Sequence, residues 1–141
     1  MRLVLDTSIL VAAFRSRTGA SRLLLESVAR GEIRLVASSA LFLEYEAVLT
    51  RAEQVASHGV SPDNVERFLI AMATFTDHVR IHYRYRPQLQ DANDEMVLEA
   101  AINGRAEAVV THNVKDFLPA AKRFGIAVLT PGSILREWGK R

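Results

Sequence analysis

The 141-residue sequence contains no cysteine, which excludes disulfide bonds, zinc–thiolate sites and cysteine nucleophiles. No apolar run approaches the ~20 residues that would cross a bilayer, and no basic start precedes a long apolar stretch. We therefore expect a cytoplasmic protein. Repeats, low-complexity tracts and linkers are also missing, and the length predicts one domain over residues 1–141.

Lysine is scarce as well, because 15 of the 18 basic residues are arginines and 3 are lysines. Arginine makes planar, bidentate contacts with phosphates, although an arginine-rich proteome explains the bias equally well. The net charge is only +2, and 49% hydrophobic and 24% charged residues are normal for a soluble globular protein.

Short apolar runs alternate with stretches of helical periodicity along the chain. The runs of strand length lie at 2–5, 33–37, 79–83, 108–111 and 126–130. Serines, a proline and acids stand where helices would begin. The alternation predicts a parallel sheet covered on both faces, with ligand chemistry at the carboxyl ends of its strands.

Two acids are expected near strand ends. Asp6 follows the apolar run 2–5 directly, and as an alternative to a metal ligand it could cap the next helix. Asp116 comes five residues after Thr111, the last residue of the run 108–111, and by itself it could simply open a helical turn.

Glu44 occupies an awkward position for an acid. On its predicted helix it shares the inward face with Leu41 and Val48, whereas Glu46 points to solvent. A carboxylate on an apolar face needs a partner, so the alternative to a metal ligand is a salt bridge to an arginine.

Asp94 repeats this pattern on a later helix. Val97 and Leu98 follow it on the same face, while Glu95 and Glu99 are expected to project outward. The alternative is an acid that is simply favoured by the helix dipole.

Three or four inward carboxylates at one rim of a sheet repel one another and favour hard divalent cations, which prefer oxygen ligands. Mg²⁺ or Mn²⁺ there would suit phosphodiester hydrolysis. The histidines do not form a competing site: His78 and His82 are interpreted as structural, His58 as part of a polar turn, and His112 as an exposed loop residue or a substrate contact.

Four segments, "LVLDTSILVAAF", "SSALFLEYEAVL", "DANDEMVLEAAINGRAEAVVTHNVKDF" and "IAVLTPGSIL", resemble the successive motifs of the PIN domain family. Within it, the chain is most similar to VapC-like toxins of toxin–antitoxin systems, from about residue 2 to about residue 136. The resemblance implies a three-layer α/β/α sandwich with a short, mainly parallel sheet, and RNA cleavage with Mg²⁺ or Mn²⁺.

The resemblance also implies the site residues. Asp6, Glu44 and Asp94 match the first three family acids, which act as metal ligands and catalytic residues. For the fourth, Asp116 is chosen because the nearer family position is occupied by Asn113. Hydroxyls or amides that orient the acids or contact substrate are expected at Thr7, Ser8, Thr111 and Asn113.

The function implied is a metal-dependent endoribonuclease that acts as a type II toxin, with RNA as substrate, a cognate antitoxin and a homodimer as partners. The alternative is a nucleic-acid- or antitoxin-binding PIN protein with little turnover. A phosphoacceptor domain is disfavoured because "RLVLDTS" lacks a second acid after the first strand. The tail "LREWGKR" is a candidate RNA contact through Arg136, Trp138, Lys140 and Arg141, and the equal alternative is an anchored terminal helix.

Overall fold

The computed structural model describes the backbone of residues 1–139 and the side chains of residues 1–137. The strands in this range are β1 (Arg2–Leu5), β2 (Arg34–Ala37), β3 (Thr76–His78), β4 (Ala108–Val110) and β5 (Ala127–Leu129). The helices are α1 (Thr7–Arg15), α2 (Ala20–Ala29), α3 (Ser39–Leu49), α4 (Ala52–His58), α5 (Pro62–Ala73), α6 (Ala92–Asn103), α7 (Val114–Arg123) and α8 (Pro131–Gly139). None of these helices is long and apolar enough to span a bilayer.

The strands form one sheet in the order β3-β2-β1-β4-β5, in which every neighbouring pair is parallel. Consecutive residues of β1, β2 and β4 are buried, and since alternate side chains point to opposite faces, both faces are covered by helices. The buried apolar side chains form one cluster that extends from Leu3 to Ile134. The predicted α/β/α sandwich with a parallel sheet is confirmed.

Helix starts follow the local chemistry of the sequence. The Ser38 and Ser61 hydroxyls accept backbone N–H bonds at the starts of α3 and α5, and Pro62 occupies the first turn of α5. The Asp91 carboxylate accepts the N–H of Asn93 at the start of α6. These short-range bonds fix where α3, α5 and α6 begin.

The third strand is not where its apolar pattern predicts it. The prediction of a strand at 79–83 is wrong, because β3 is the polar segment Thr76–His78. Its place depends on pairing with β2 and on Asp77, which forms salt bridges with both Arg2 and Arg34.

The segment between α3 and α5 also differs from the expectation of a polar turn at His58. His58 ends helix α4, and its ring lies edge-on to Phe14 with 5.2 Å between the centroids. Its Nδ1 accepts the N–H of Val60 at 2.9 Å. The role of His58 is therefore to hold this connection in place.

Two glutamates of α6 expected to face solvent are buried, so that prediction is wrong. Glu95 is 4% exposed and Glu99 is 5% exposed. The cause is residues 80–90, which have no regular secondary structure and lie along this side of α6; we call them the strap. Glu95 accepts hydrogen bonds from the N–H groups of Gln88 and Leu89, and Glu99 forms a salt bridge with Arg86.

Gly104, at the end of α6, is a point of close packing that supplies a stability test. A Cβ atom there would lie 2.3 Å from Val36 Cγ1 and 2.8 Å from the carbonyl oxygen of Ala100. Gly104→Ala is expected to lower the free energy of unfolding by about 1–3 kcal/mol, measured by urea denaturation. The control is Gly132→Ala, whose Cβ would meet only the flexible Arg136 side chain at 3.4 Å. Equal stability of the two variants would contradict the tight fit.

Candidate functional site

Asp6 lies at the carboxyl edge of the sheet, next to the end of the neighbouring strand. The register pairs Leu5 of β1 with Val110 of β4, and the Asp6 N–H continues the ladder to the Val110 carbonyl at 2.9 Å. The residues that follow the two strands, Asp6 and Thr111, are therefore neighbours. Both are buried.

The Asp6 carboxylate is held from two sides through one of its oxygens. Ser8 Oγ and Thr111 Oγ1 each donate to Asp6 Oδ2 at 2.7 Å. Asp6 stands at the N-cap position of α1, but its side chain makes no capping bond, so the prediction that this side chain could cap the helix is wrong. Oδ1 accepts no hydrogen bond from a described residue, and it is left for solvent or a ligand.

Asp94 and Asp116 lie in the first turns of α6 and α7, which pack against each other, and both line one cleft of about 500 Å³. The pKa of the Asp94 carboxyl is raised from 3.8 to about 7, and burial is the largest cause. The remaining causes of this shift are the negative charges of Asp6, Asp91, Asp116 and Glu95, in that order of size. Three of the four predicted acids are thus electrostatic neighbours.

Glu44 lies on α3 and is half-buried. The buried stripe of α3 is Leu41, Tyr45 and Leu49, so Glu44 flanks the stripe rather than lying at its centre, and Glu46 is exposed as predicted. No salt bridge joins Glu44 to a described residue, which removes the alternative of an arginine pair. Glu44 is not among the charges that raise the pKa of Asp94.

Tyr45 was missed by the sequence reasoning, although it ties α3 to the site. Its hydroxyl donates to the carbonyl oxygen of Leu5, one residue before Asp6. Burial, and then the Asp6 charge, raise the pKa of the Tyr45 hydroxyl well above its usual value. The available signal was its spacing of four residues from Leu41 on an inward face.

The remaining polar candidates differ in their contacts. The Asn113 N–H donates to Thr111 Oγ1 at 2.9 Å, so Thr111 links β4, Asp6 and the start of α7. Thr7 is half-buried at the first position of α1. His112 is exposed, and its Nε2 lies 3.0 Å from Oγ of the buried Ser21, a pairing with no signal in the sequence.

The expected contact of the tail with RNA involves the side chains of Trp138, Lys140 and Arg141, which lie outside the described residues. Arg136 of the same tail lies within them and is exposed.

A divalent cation fits this site by the chemistry of its donors. All of the candidate ligands are carboxylates, and the mutual repulsion that raises the pKa of Asp94 is the repulsion that a bound cation would relieve. In residues 1–137, however, no three His, Cys, Asp or Glu side chains are close enough together to hold a metal ion as they stand. Metal binding would therefore require side-chain rotations.

Several solved structures contain chains of similar fold, including the three that follow. The structure of VapBC2 from Rickettsia felis bound to a DNA fragment from their promoter has a chain with 19% identity and a TM-score of 0.62, over 92% of this chain and 98% of that chain. A chain of VapBC-1 from nontypeable Haemophilus influenzae has 17% identity and a TM-score of 0.62, over 94% of this chain and 99% of that chain. A chain of FitAB bound to the IR36 DNA fragment has 16% identity and a TM-score of 0.57, over 92% of this chain and 94% of that chain. At these identities the likeness concerns the fold.

A search of curated protein sequences gives no significant match. A family model described as PIN domain matches residues 2–115, which include β1 to β4 and three of the four candidate acids. The fourth, Asp116, is one residue beyond the match. The match agrees with the order of the sequence motifs and with the fold of the three neighbours. The chain belongs to the PIN domain family.

Proposed function

We propose that this chain is a Mg²⁺- or Mn²⁺-dependent endoribonuclease that acts as the toxin of a type II toxin–antitoxin pair. The proposal rests on the proximity of the Asp6, Asp94 and Asp116 carboxylates at the carboxyl edge of a parallel sheet. Such a group is repulsive when it is empty and suits a hard cation. Membership of the PIN domain family supports a nuclease in general terms.

Each residue has a separate task in the proposed reaction. Ser8 and Thr111 fix one oxygen of Asp6, so that its other oxygen is oriented toward the site. Asp94, Asp116 and Glu44 complete the ligand set, and the exposed Asn113 contacts the RNA near the scissile phosphate. When bound, Mg²⁺ or Mn²⁺ would supply polarisation of a phosphoryl oxygen and activation of the attacking water.

The partners follow from the same proposal. An uncontrolled ribonuclease would damage the RNA of its own cell, so we expect a cognate antitoxin and a cytoplasmic location. The similar chains come from structures titled VapBC and FitAB, which supports a two-protein assembly of this kind. A homodimer of this chain belongs to the proposal as well.

One observation favours the alternative, a PIN protein that binds RNA or an antitoxin with little turnover. The described side chains contain no group of three metal-binding residues that is ready to hold an ion. A site that must rearrange before binding an ion would bind it weakly. The two functions differ in whether a metal ion converts bound RNA into cleaved RNA.

Metal removal separates the two functions directly. Purified protein is expected to cleave end-labelled single-stranded RNA in Mg²⁺ or Mn²⁺, to lose this activity in EDTA, and to regain it when excess Mg²⁺ is added. Gel electrophoresis of the labelled RNA measures the cleavage. The reason is that the reaction needs charge neutralisation and water activation that carboxylates alone do not supply.

A second measurement does not depend on activity. Mn²⁺ is expected to raise the melting temperature of the wild-type protein and to have a smaller effect on Asp6→Asn, because the ion binds the folded state through that carboxylate. Equal cleavage in EDTA and in Mg²⁺ would contradict the metal mechanism. Stabilisation by Mn²⁺ without any cleavage would favour the alternative function.

A further inference from the structure

The strap contains alternating aromatic and basic residues, in the sequence "RIHYRYRP" from residue 80 to residue 87. In an extended backbone alternate side chains point to opposite sides. Arg84 and Arg86 both reach Glu99 on α6, whereas Tyr83 and Tyr85 turn away from it and are 61% and 48% exposed. The Arg84 side chain is nevertheless 69% exposed, so its guanidinium, which lies between the two tyrosines in the chain, remains accessible at the surface of the strap.

Side chains of α6 hold the strap in place. Asn103 Oδ1 accepts the N–H groups of His82 and Tyr83, each at 2.9 Å, and its Nδ2 donates to the Tyr83 carbonyl oxygen at 3.0 Å. Glu99 and Glu95, four and eight residues earlier, hold Arg86 and the backbone of Gln88. These bonds give an irregular segment a defined position.

The exposed tyrosines are stacked on each other. The rings of Tyr83 and Tyr85 are nearly parallel, with 12° between their planes and 6.4 Å between their centroids. Tyr85 also lies 5.4 Å from the Phe124 ring, at the end of α7. Exposed aromatic faces that are fixed in this way are the surfaces on which unpaired bases stack, with little dependence on sequence.

The strap also carries surplus positive charge. Arg84 and Arg86 share the single carboxylate of Glu99, so one of the two positive charges is not neutralised. Arg80 is exposed and forms no salt bridge with a described residue. Positive side chains next to aromatic faces suit a nucleic-acid strand, in which phosphates and bases alternate.

The position of the strap connects it to the acidic cleft. Gln88 and Asp91 line the cleft together with Asp94 and Asp116. Tyr85 is three residues before Gln88, which is at most about 10 Å of extended chain. Arg123 of α7 donates to Gln88 Oε1 at 2.8 Å, so the strap contacts both helices that carry the cleft acids.

We propose that the strap is a docking surface for single-stranded RNA, in which Tyr83 and Tyr85 stack with unpaired bases and Arg80 and Arg84 contact phosphates, so that the strand leads toward the cleft of Asp94 and Asp116. This inference rests on the proposed function, because it names the surface that delivers the substrate to that site. An acidic protein segment would use the arginines but would not need flat aromatic faces.

The aromatic part is tested by RNA binding without cleavage. The probe is a fluorescein-labelled single-stranded RNA of mixed sequence, about 20 nucleotides long so that it exceeds typical single-strand sites. Fluorescence anisotropy in EDTA gives its Kd, and a gel checks that the RNA stays intact. The double variant Tyr83→Leu with Tyr85→Leu is expected to weaken binding at least tenfold, because leucine keeps the apolar bulk and removes the stacking face. Tyr83→Phe with Tyr85→Phe is expected to bind as the wild type does.

The basic part is tested by the salt dependence of Kd. Each arginine that contacts a phosphate contributes about 0.7 to the slope of log K against log salt concentration for a single strand. Arg80→Gln and Arg84→Gln are each expected to lower the slope by about that amount. The matched control is Arg67→Gln on the surface of α5, outside the strap, which should leave the slope unchanged.

The outcomes separate this inference from the proposed function. Weaker binding of the leucine variant, together with no cleavage by the wild type in Mg²⁺, would support the strap and overturn the nuclease. Unchanged binding of the leucine variant, with normal folding by circular dichroism, would overturn the strap, and so would a wild type that does not bind RNA. If the phenylalanine variant weakens binding as much as the leucine variant, the stacking role is also overturned.

Discussion

Asp94→Asn is expected to lower the rate of RNA cleavage about a thousandfold while the metal-free protein becomes more stable. The loss follows from removing one metal ligand, since metal stabilisation of the transition state is worth several kcal/mol. The gain follows from the removal of a half-buried charge that Asp6 and Asp116 repel. Cleavage assays in Mg²⁺ and urea denaturation in EDTA measure the two effects.

The stability gain of Asp94→Asn should depend on pH. The pKa of Asp94 is about 7 in the folded protein, against an ordinary value of 3.8. Between these values the unfolded chain has released the proton and the folded chain retains it, so wild-type stability falls as the pH rises through this interval. Because Asp94 is partly open to solvent, we expect a gain of only about 1–2 kcal/mol at pH 8 and almost none at pH 4.

Asp63→Asn is the matched control for Asp94→Asn, because Asp63 is an exposed aspartate in the first turn of α5. There the negative charge is favoured by the helix dipole, so its removal should lower stability by up to about 1 kcal/mol at pH 8. If the two variants change stability in opposite directions, the effect of Asp94→Asn comes from the acidic cluster and not from the position of the residue at the start of a helix. A large loss of stability in metal-free Asp94→Asn would instead identify Asp94 as a structural acid.

Glu44→Gln is expected to abolish most metal-dependent cleavage, whereas Glu46→Gln should remain near wild type. The two glutamates are two residues apart on α3, about 200° around the helix, and they carry the same charge. Glu44 is half-buried without a salt bridge to a described residue, while Glu46 is exposed. A general effect of charge on RNA binding would be similar in both variants.

Initial cleavage rates in Mg²⁺ and bacterial growth during expression without antitoxin are the two measurements for the Glu44 pair. Growth should be permitted by Glu44→Gln and inhibited by Glu46→Gln. Surface substitutions rarely change stability by more than about 0.5 kcal/mol, so loss of folding should not confuse the result for Glu46. If both variants cleave equally, or if Glu46→Gln is the inactive one, Glu44 is not a ligand.

The sequence predicted the fold where local patterns decide it. Four apolar runs became β1, β2, β4 and β5, because buried parallel strands need continuous apolar residues. The third strand could not be located in this way, since its residues are polar and its position depends on Asp77 reaching Arg2 and Arg34 on other strands. Such contacts between distant residues leave no periodic signal in the sequence.

In the candidate site, too, local patterns predicted some residues correctly and failed where distant contacts decide the position. Helical phase correctly gave the contrast between Glu44 and Glu46. The family resemblance supplied Thr111, whose hydroxyl donates to Asp6. The outward prediction for Glu99 was wrong, because it assumed that α6 has an open side, and the strap covers that side. No rule of local periodicity predicts that an irregular segment packs onto a helix.

The strap has a consequence for the dynamics of the acidic cleft. If the strap detached, Glu95 would lose the two hydrogen bonds that it accepts from backbone N–H groups, and Glu99 would lose its salt bridge with Arg86. The hydrogen bond from Arg123 to Gln88 would also break. Buried carboxylates that lose their partners are costly, so partial opening is disfavoured. We therefore expect the strap, α6 and the end of α7 to unfold locally as one cooperative unit. On this expectation, Asp94 and Asp116 keep their relative positions in small fluctuations and separate only when the whole unit opens.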